Sequence, residues 1–234
     1  MKKLVACLLV LGTALAGSAQ GARSQASSTG TFKVGGASIV LPAPSEDMVE
    51  VGPDNRGILD AFVAVGNRLV AGYVPTADLP KFESMSPDAT FLRYAMVQVV
   101  RSVEYTDCKS SDFQEVVDMF EAEYGKVSED IMKEATEDAR KHLEQLDSEE
   151  EFSYGEIKQL GRLFSVEGAY GIGMIMPMSV GDKTYTLACC IGLMRVRQRL
   201  MFFYYYDEYK GRGTIEALRK VSSAWADSIL KANK

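Results

Sequence analysis

The densest run of apolar and aromatic positions beyond the N-terminal leader lies between Lys183 and Tyr206, KTYTLACCIGLMRVRQRLMFFYYY. Its uncharged core, Thr184 to Met194, stops at Arg195, well short of the roughly 20 residues that a membrane-crossing helix needs. The residues are β-branched, aromatic or small, which favours a strand. Side chains alternate faces along a strand. Tyr185, Leu187, Cys189, Ile191 and Leu193 would line one face, and Thr186, Ala188, Cys190, Gly192 and Met194 the other. Neither face is charged, so both should be covered, and the smaller one leaves room for a close helix. Arg195 to Arg199 then form a polar break, and Leu200 to Tyr206 returns as a second strand. The pattern therefore predicts a hairpin at the centre of a sheet. A single long helix is the competing reading.

The rest of the chain groups around this hairpin. Phe32 to Leu41 predicts a short hairpin around Gly35-Gly36. Ile58 to Val65 and Arg68 to Val74 read as a second strand pair, with a short helix as the alternative for the first. Ala77 to Phe82 suggests a helical turn, and Phe91 to Tyr105 a long strand. Ser111-Asp112-Phe113-Gln114 has the spacing of a capping box, and Phe113, Val116, Val117 and Phe120 follow at helical intervals. A second helix carries Val127, Ile131, Ala135 and Leu143. Gly155 to Phe164 and Ala169 to Met178 read as strands, with turns near Glu167-Gly168 and at Gly181-Asp182. Thr214 would cap a last helix with the stripe Leu218, Val221, Trp225 and Ile229. Strands joined by short turns, separated in sequence from the helices, predict an α+β domain. Its antiparallel sheet would have about six to eight strands covered by helices.

Composition adds a compartment. Met-Lys-Lys, an uncharged apolar stretch from Leu4 to Leu15, and Gly17-Ser18-Ala19 have the form of a secretory signal peptide. Cleavage is expected after Ala19, with Ala22 as the alternative. Residues 1–19 are then the leader, 20–30 a flexible lead-in, and 31–234 one domain in the periplasm or outside the cell. The net charge of −6 argues against nucleic acid as a partner. Between Asp112 and Glu151 stand fifteen acidic residues against four basic ones, so the two middle helices carry most of that charge.

The element order resembles the PsbP/DcrB-like group: an exported α+β chain with an N-terminal hairpin, mid-chain helix, strand meander and closing helix. The stretches AYGIGMIMPMSVGDKT (Ala169 to Thr184) and RVRQRLMFFYYYDEYKG (Arg195 to Gly211) also look similar to exported proteobacterial proteins. No catalytic motif takes part, so the resemblance carries over no functional residue. It implies a non-enzymatic binding or accessory role.

Candidate chemistry is sparse. His142 is the single histidine and lies off the apolar stripe of its helix, as a solvated side chain would. No G-x-S-x-G or P-loop occurs, and Gly168, Gly171 and Gly173 do not complete G-x-G-x-x-G because position 176 is Met. Gly171 and Gly173 share a strand face, which suits close packing. Cys108 would pair, if at all, with Cys189 or Cys190, since adjacent strand residues face opposite ways. Neither the cysteines with one remote histidine nor Asp147 to Glu151 supplies a metal-binding set, and no cofactor is expected. Arg195, Arg197 and Arg199 alternate, so they would project together from the hairpin tip toward an anion or an acidic partner. Tyr204, Tyr205, Tyr206 and Tyr209 have the composition of either a core or a ligand wall. The reading is thus an accessory protein contacting another envelope protein. The alternatives are a carboxylate-based hydrolase and a carrier of a small apolar ligand held near Trp225.

Overall fold

A computed structural model describes residues 29–60, 63–64, 66–84, 92–124, 152–180 and 183–234. The ribbon expected at the centre is there. Strand β9 (Lys183–Val196) and strand β10 (Arg199–Glu208) pair antiparallel, from Arg199 beside Val196 to Glu208 beside Leu187. On one side β9 pairs with β8 (Ala169–Val180); on the other, β10 pairs with β5 (Tyr94–Val100). Beyond β5 come β4 (Asn67–Pro75) and the short edge strand β3 (Met48–Glu50). At the other edge β7 (Lys158–Val166) and β6 (Phe152–Tyr154) lie end to end along β8. The fold is α+β, with eight antiparallel strands filling seven positions. It consists of two meanders, β3–β5 and β6–β10, meeting only at the β5–β10 seam.

The two faces of β9 divide as the alternation requires. Leu187, Cys189, Ile191 and Leu193 join one core, and Ala188, Cys190 and Met194 join the other. The smaller face meets helix α4 (Arg212–Ala232) and a separate hairpin made of β1 (Thr29–Val34) and β2 (Ala37–Pro42). Helix α4 buries Leu218, Ser222, Trp225, Ala226 and Ile229, while Val221 packs at the margin. Space for it comes from one row across four strands. Phe164 stands beside Gly171, Gly171 beside Gly192, and Gly192 beside Phe203. The two rings fold inward over the glycines and stack at 6.1 Å, and Trp225 meets Phe203 edge-on at 5.4 Å. A Cβ at Gly192 would lie 2.0 Å from the Phe203 ring, so glycine is required by close approach.

Helix α4 is fastened to the hairpin by polar bonds. Trp225 Nε1 donates to the Pro42 carbonyl at 2.8 Å, and from the sheet Tyr73 Oη on β4 donates to the Leu41 carbonyl at 3.0 Å. Asn233 accepts the Val40 N–H at 2.8 Å and donates to the Val40 carbonyl at 2.7 Å. A side-chain amide thereby takes the place of a strand neighbour along β2. Thr214, the expected cap, sits inside the first turn instead. The helix begins at Arg212 after Gly211, and the Thr214 hydroxyl accepts the Lys210 N–H.

The other face is covered by helix α3 (Ser110–Tyr124) through Phe113, Val117 and Phe120, and by Val51, Leu59 and Phe82 around helices α1 (Arg56–Asp60) and α2 (Leu79–Glu83). The capping box is displaced by two residues from the one expected at Ser111. Asp112, not Gln114, reaches back to accept the Lys109 N–H. Residues from Ile58, read as a strand, begin instead within α1, the alternative left open by their weak pattern. The long strand expected to Tyr105 ends at Val100, and a 3-10 turn, Arg101–Val103, follows where the polar residues leave the core. The leader, the second acidic helix, His142, Asp147 to Glu151 and the Gly181-Asp182 turn lie outside the described residues.

Candidate functional site

One end of the sheet gathers the turn of β1–β2, the turn of β7–β8, the tip of β9–β10 and the loop from Arg101 to Lys109. Their bonds tie them into one surface. The Arg195 N–H donates to the Gly168 carbonyl at 2.8 Å, and the Cys108 N–H to the Gln198 carbonyl at 2.8 Å. Glu104 stands between three donors: Arg68 Nε at 3.1 Å, Arg68 Nη2 at 2.5 Å, and the Gly35 N–H at 3.2 Å. Arg199 Nη1 donates to Asp107 at 2.7 Å and to the Tyr105 carbonyl at 3.3 Å. Gly35 has φ +52°, and a Cβ there would lie 2.0 Å from the Glu104 carbonyl oxygen.

Two of the turns are built alike from unlike residues. Both join their strands through two residues with positive φ, the turn that matches strand twist. In β1–β2 these are Gly35 and Gly36, with φ +52° and +82°, as glycine's freedom favours. In β9–β10 they are Arg197 and Gln198, with φ 47° and 62°. A left-handed residue with a Cβ costs about 1–2 kcal/mol. The tip holds two in succession, and both side chains are exposed.

That turn also explains why the three arginines do not act together. A two-residue loop restarts the alternation, so Arg199 shares a face with Val196 while Arg195 lies on the opposite one. Arg195 approaches Cys108 on the α3 face, and its buried Nε has no acceptor among the described residues. Arg199 is committed to Asp107 and lies beside Gly35 on the α4 side. Only Arg197 points freely from the tip. The expectation of one arginine row is corrected to one arginine per direction.

Sequence reasoning missed two neighbours. Tyr105 is 77% exposed, although its carbonyl is held by Arg199. Arg101 is exposed, bonded through Nε to the Asn67 carbonyl at 2.9 Å. Arg101 opens the loop whose Tyr105 carbonyl is held by Arg199 and whose Cys108 N–H is bonded to Gln198. Both residues were folded into an over-long strand by their aromatic and alternating context, so neither stood out in the pattern. Among the described residues neither Arg101 nor Arg197 has an ion pair. No family model and no curated protein matches this chain.

The remaining candidates are placed elsewhere. Cys108 lies at the tip, whereas Cys189 and Cys190 lie mid-strand, roughly 20 Å away by strand rise, so the candidate pairing is not formed and all three are free thiols. Burial drives the Cys189 thiol well up, and lifts that of Cys190 to about 12 against the pull of the Ser222 hydroxyl. Both therefore act as small core residues. Tyr204 and Tyr206 are buried on the α3 face and Tyr205 on the other, within the central strand rather than at an edge; Tyr209 packs at the rim of the α4 core. At the opposite end of the sheet, Arg93 binds Asp47 at 2.7 Å and the Tyr205 hydroxyl at 2.9 Å.

Two carboxyls are pushed up by burial. Asp60 is drawn back by Arg56 and Arg101, and Asp207 by Arg93, so they lie at opposite ends of the sheet. They do not converge as the hydrolase reading requires. Where a carrier would hold its ligand, Trp225 is 1% exposed and already packed between Tyr73 and Phe203. No described helix is long and apolar enough to cross a membrane.

Glu104 makes the platform sensitive to acid. Its bonds from Arg68 hold the carboxyl below its ordinary range, with the Gly35 N–H assisting. Stabilisation from a depressed carboxyl is complete above the unfolded value near 4.3 and is lost as pH falls through the folded one. Urea midpoints followed downward from pH 7 should therefore fall in that acid range. Glu104→Gln should cost about 1–2 kcal/mol at neutral pH and flatten this part of the curve.

Proposed function

We propose that this chain is an exported accessory protein without chemistry of its own, which binds another envelope component through the loop end of its sheet. The leader pattern at the N-terminus supports export. The two meanders, closing helix and N-terminal hairpin support a PsbP/DcrB-like arrangement. The observation that carries the binding role is the tip of β9–β10. Its left-handed positions hold arginine and glutamine, while the neighbouring turn uses two glycines for the same path. Backbone strain kept at a solvent-exposed position points to a task for the side chains.

Replacing Arg197-Gln198 by Asn-Gly separates stability from function. Asn-Gly suits this turn, so the double variant should gain about 1–2 kcal/mol and melt a few degrees higher. It should at the same time lose partners that the parent retains from a periplasmic extract at low salt. Undiminished capture by the more stable variant would remove the tip from the binding surface.

A further inference from the structure

Resting on that reading, we infer that the tip grips a carboxylate-rich segment of its partner, with Arg197 and Arg101 facing the acid groups and the Tyr105 ring covering the segment between them. The local charge accounting leaves these cations available. Glu104 is bound to Arg68 and the Gly35 N–H, and Asp107 to Arg199. Glu104 and Asp107 are therefore met from within and Glu167 of the β7–β8 turn stays exposed, while Arg101, which also acts at longer range on Asp60 and Glu104, and Arg197 stand exposed without an ion pair among the described residues. The loop that Arg101 opens is bonded to the turn that carries Arg197, through the Cys108 N–H on the Gln198 carbonyl and Arg199 on the Tyr105 carbonyl. Both guanidinium groups therefore stand at this end of the sheet, where one extended acidic peptide meets them. Each offers the planar fork that matches a carboxylate.

Tyr105 supplies what arginine does not. It has the greatest exposure of the large apolar residues described, and a backbone bond from Arg199 fixes its position. An exposed aromatic on a fixed backbone offers contact area at small entropic cost.

The surroundings select a short acidic segment over broader polyanions. Helix α3 begins at Ser110, directly beyond the platform, and presents Glu115 and Asp118 to solvent. An anionic bilayer or nucleic acid would extend over that acidic surface and be repelled. Membrane-surface attraction also draws on clusters of about 4–8 basic residues, more than the free cations here. A peptide spanning only the tip avoids the helix.

The test uses the full domain and a labelled octaglutamate peptide, followed by fluorescence anisotropy at low salt. The parent should bind it and release it as salt rises toward about 0.15 M. Arg197→Gln and Arg101→Gln should each weaken binding about five- to tenfold, matching a charge-assisted bond. Tyr105→Ala should weaken it without changing the salt dependence. An octaglutamine peptide should not bind. Equal binding of the glutamine peptide, or arginine variants indistinguishable from the parent, overturns the inference. So does preference for phosphatidylglycerol vesicles, which would make the tip a membrane contact. Salt-sensitive dimerisation in sedimentation, abolished by Arg197→Gln, would instead assign the acidic partner surface to a second copy. If octaglutamate fails while the Asn-Gly variant still loses its captured partner, only the partner chemistry is wrong and the binding role stands.

Discussion

Trp225→Ala should destabilise the domain by about 3–5 kcal/mol, the range for removing a large buried aromatic. The side chain is 1% exposed, meets Tyr73 and Phe203 edge-on at 5.8 and 5.4 Å, and donates its indole N–H to Pro42. Its loss opens a cavity where α4, the β1–β2 hairpin and the sheet come together. Trp225→Phe should recover more than half of the loss, because it restores most of the volume but not the Pro42 bond. The substitution removes the chain's single tryptophan, so urea unfolding should be followed by far-UV circular dichroism. A loss below 1 kcal/mol would show that the hairpin is not docked on α4 through this residue.

The second large effect comes from adding rather than removing atoms. Gly192→Ala places a methyl group 2.0 Å from the Phe203 ring. That ring is confined by Phe164 on one side and Trp225 on the other. Overpacking of this kind costs about 1–3 kcal/mol, and the confinement of the ring places the expected value at the upper end. Pairing Gly192→Ala with Phe203→Leu should cost less than the sum of the two single changes, since leucine leaves room for the methyl. Calorimetric melting of the four proteins measures this coupling. Additive losses would mean that the ring does not occupy the space above Gly192.

The positions of these residues explain what the amino-acid pattern could convey. Alternation along Thr184 to Met194 assigned each side chain to its face, because a continuous strand preserves parity. The glycines at 171 and 173 were legible as packing sites: Phe164 lies over Gly171 and Leu163 over Gly173. Parity fails at Arg197-Gln198, since a turn of two residues cannot be distinguished from strand by charge alone, and the three arginines were misplaced together. Tyr105 looked like another apolar strand position. Its exposure follows from the 3-10 turn at Arg101–Val103, a tertiary event marked by no glycine or proline. The capping signal at Ser111 is displaced because Asp112 completes a box that opens at Lys109, two residues earlier.

The seam between the two meanders has a kinetic meaning. Each hairpin in the second meander closes between near neighbours, but Tyr94 finds Tyr206 only across nearly half of the chain, and their rings stack at 4.4 Å. Loop entropy delays such pairings. Folding should therefore present two locally formed halves whose unjoined borders, at β5 and β10, attract each other or the matching border of another molecule until the zipper closes.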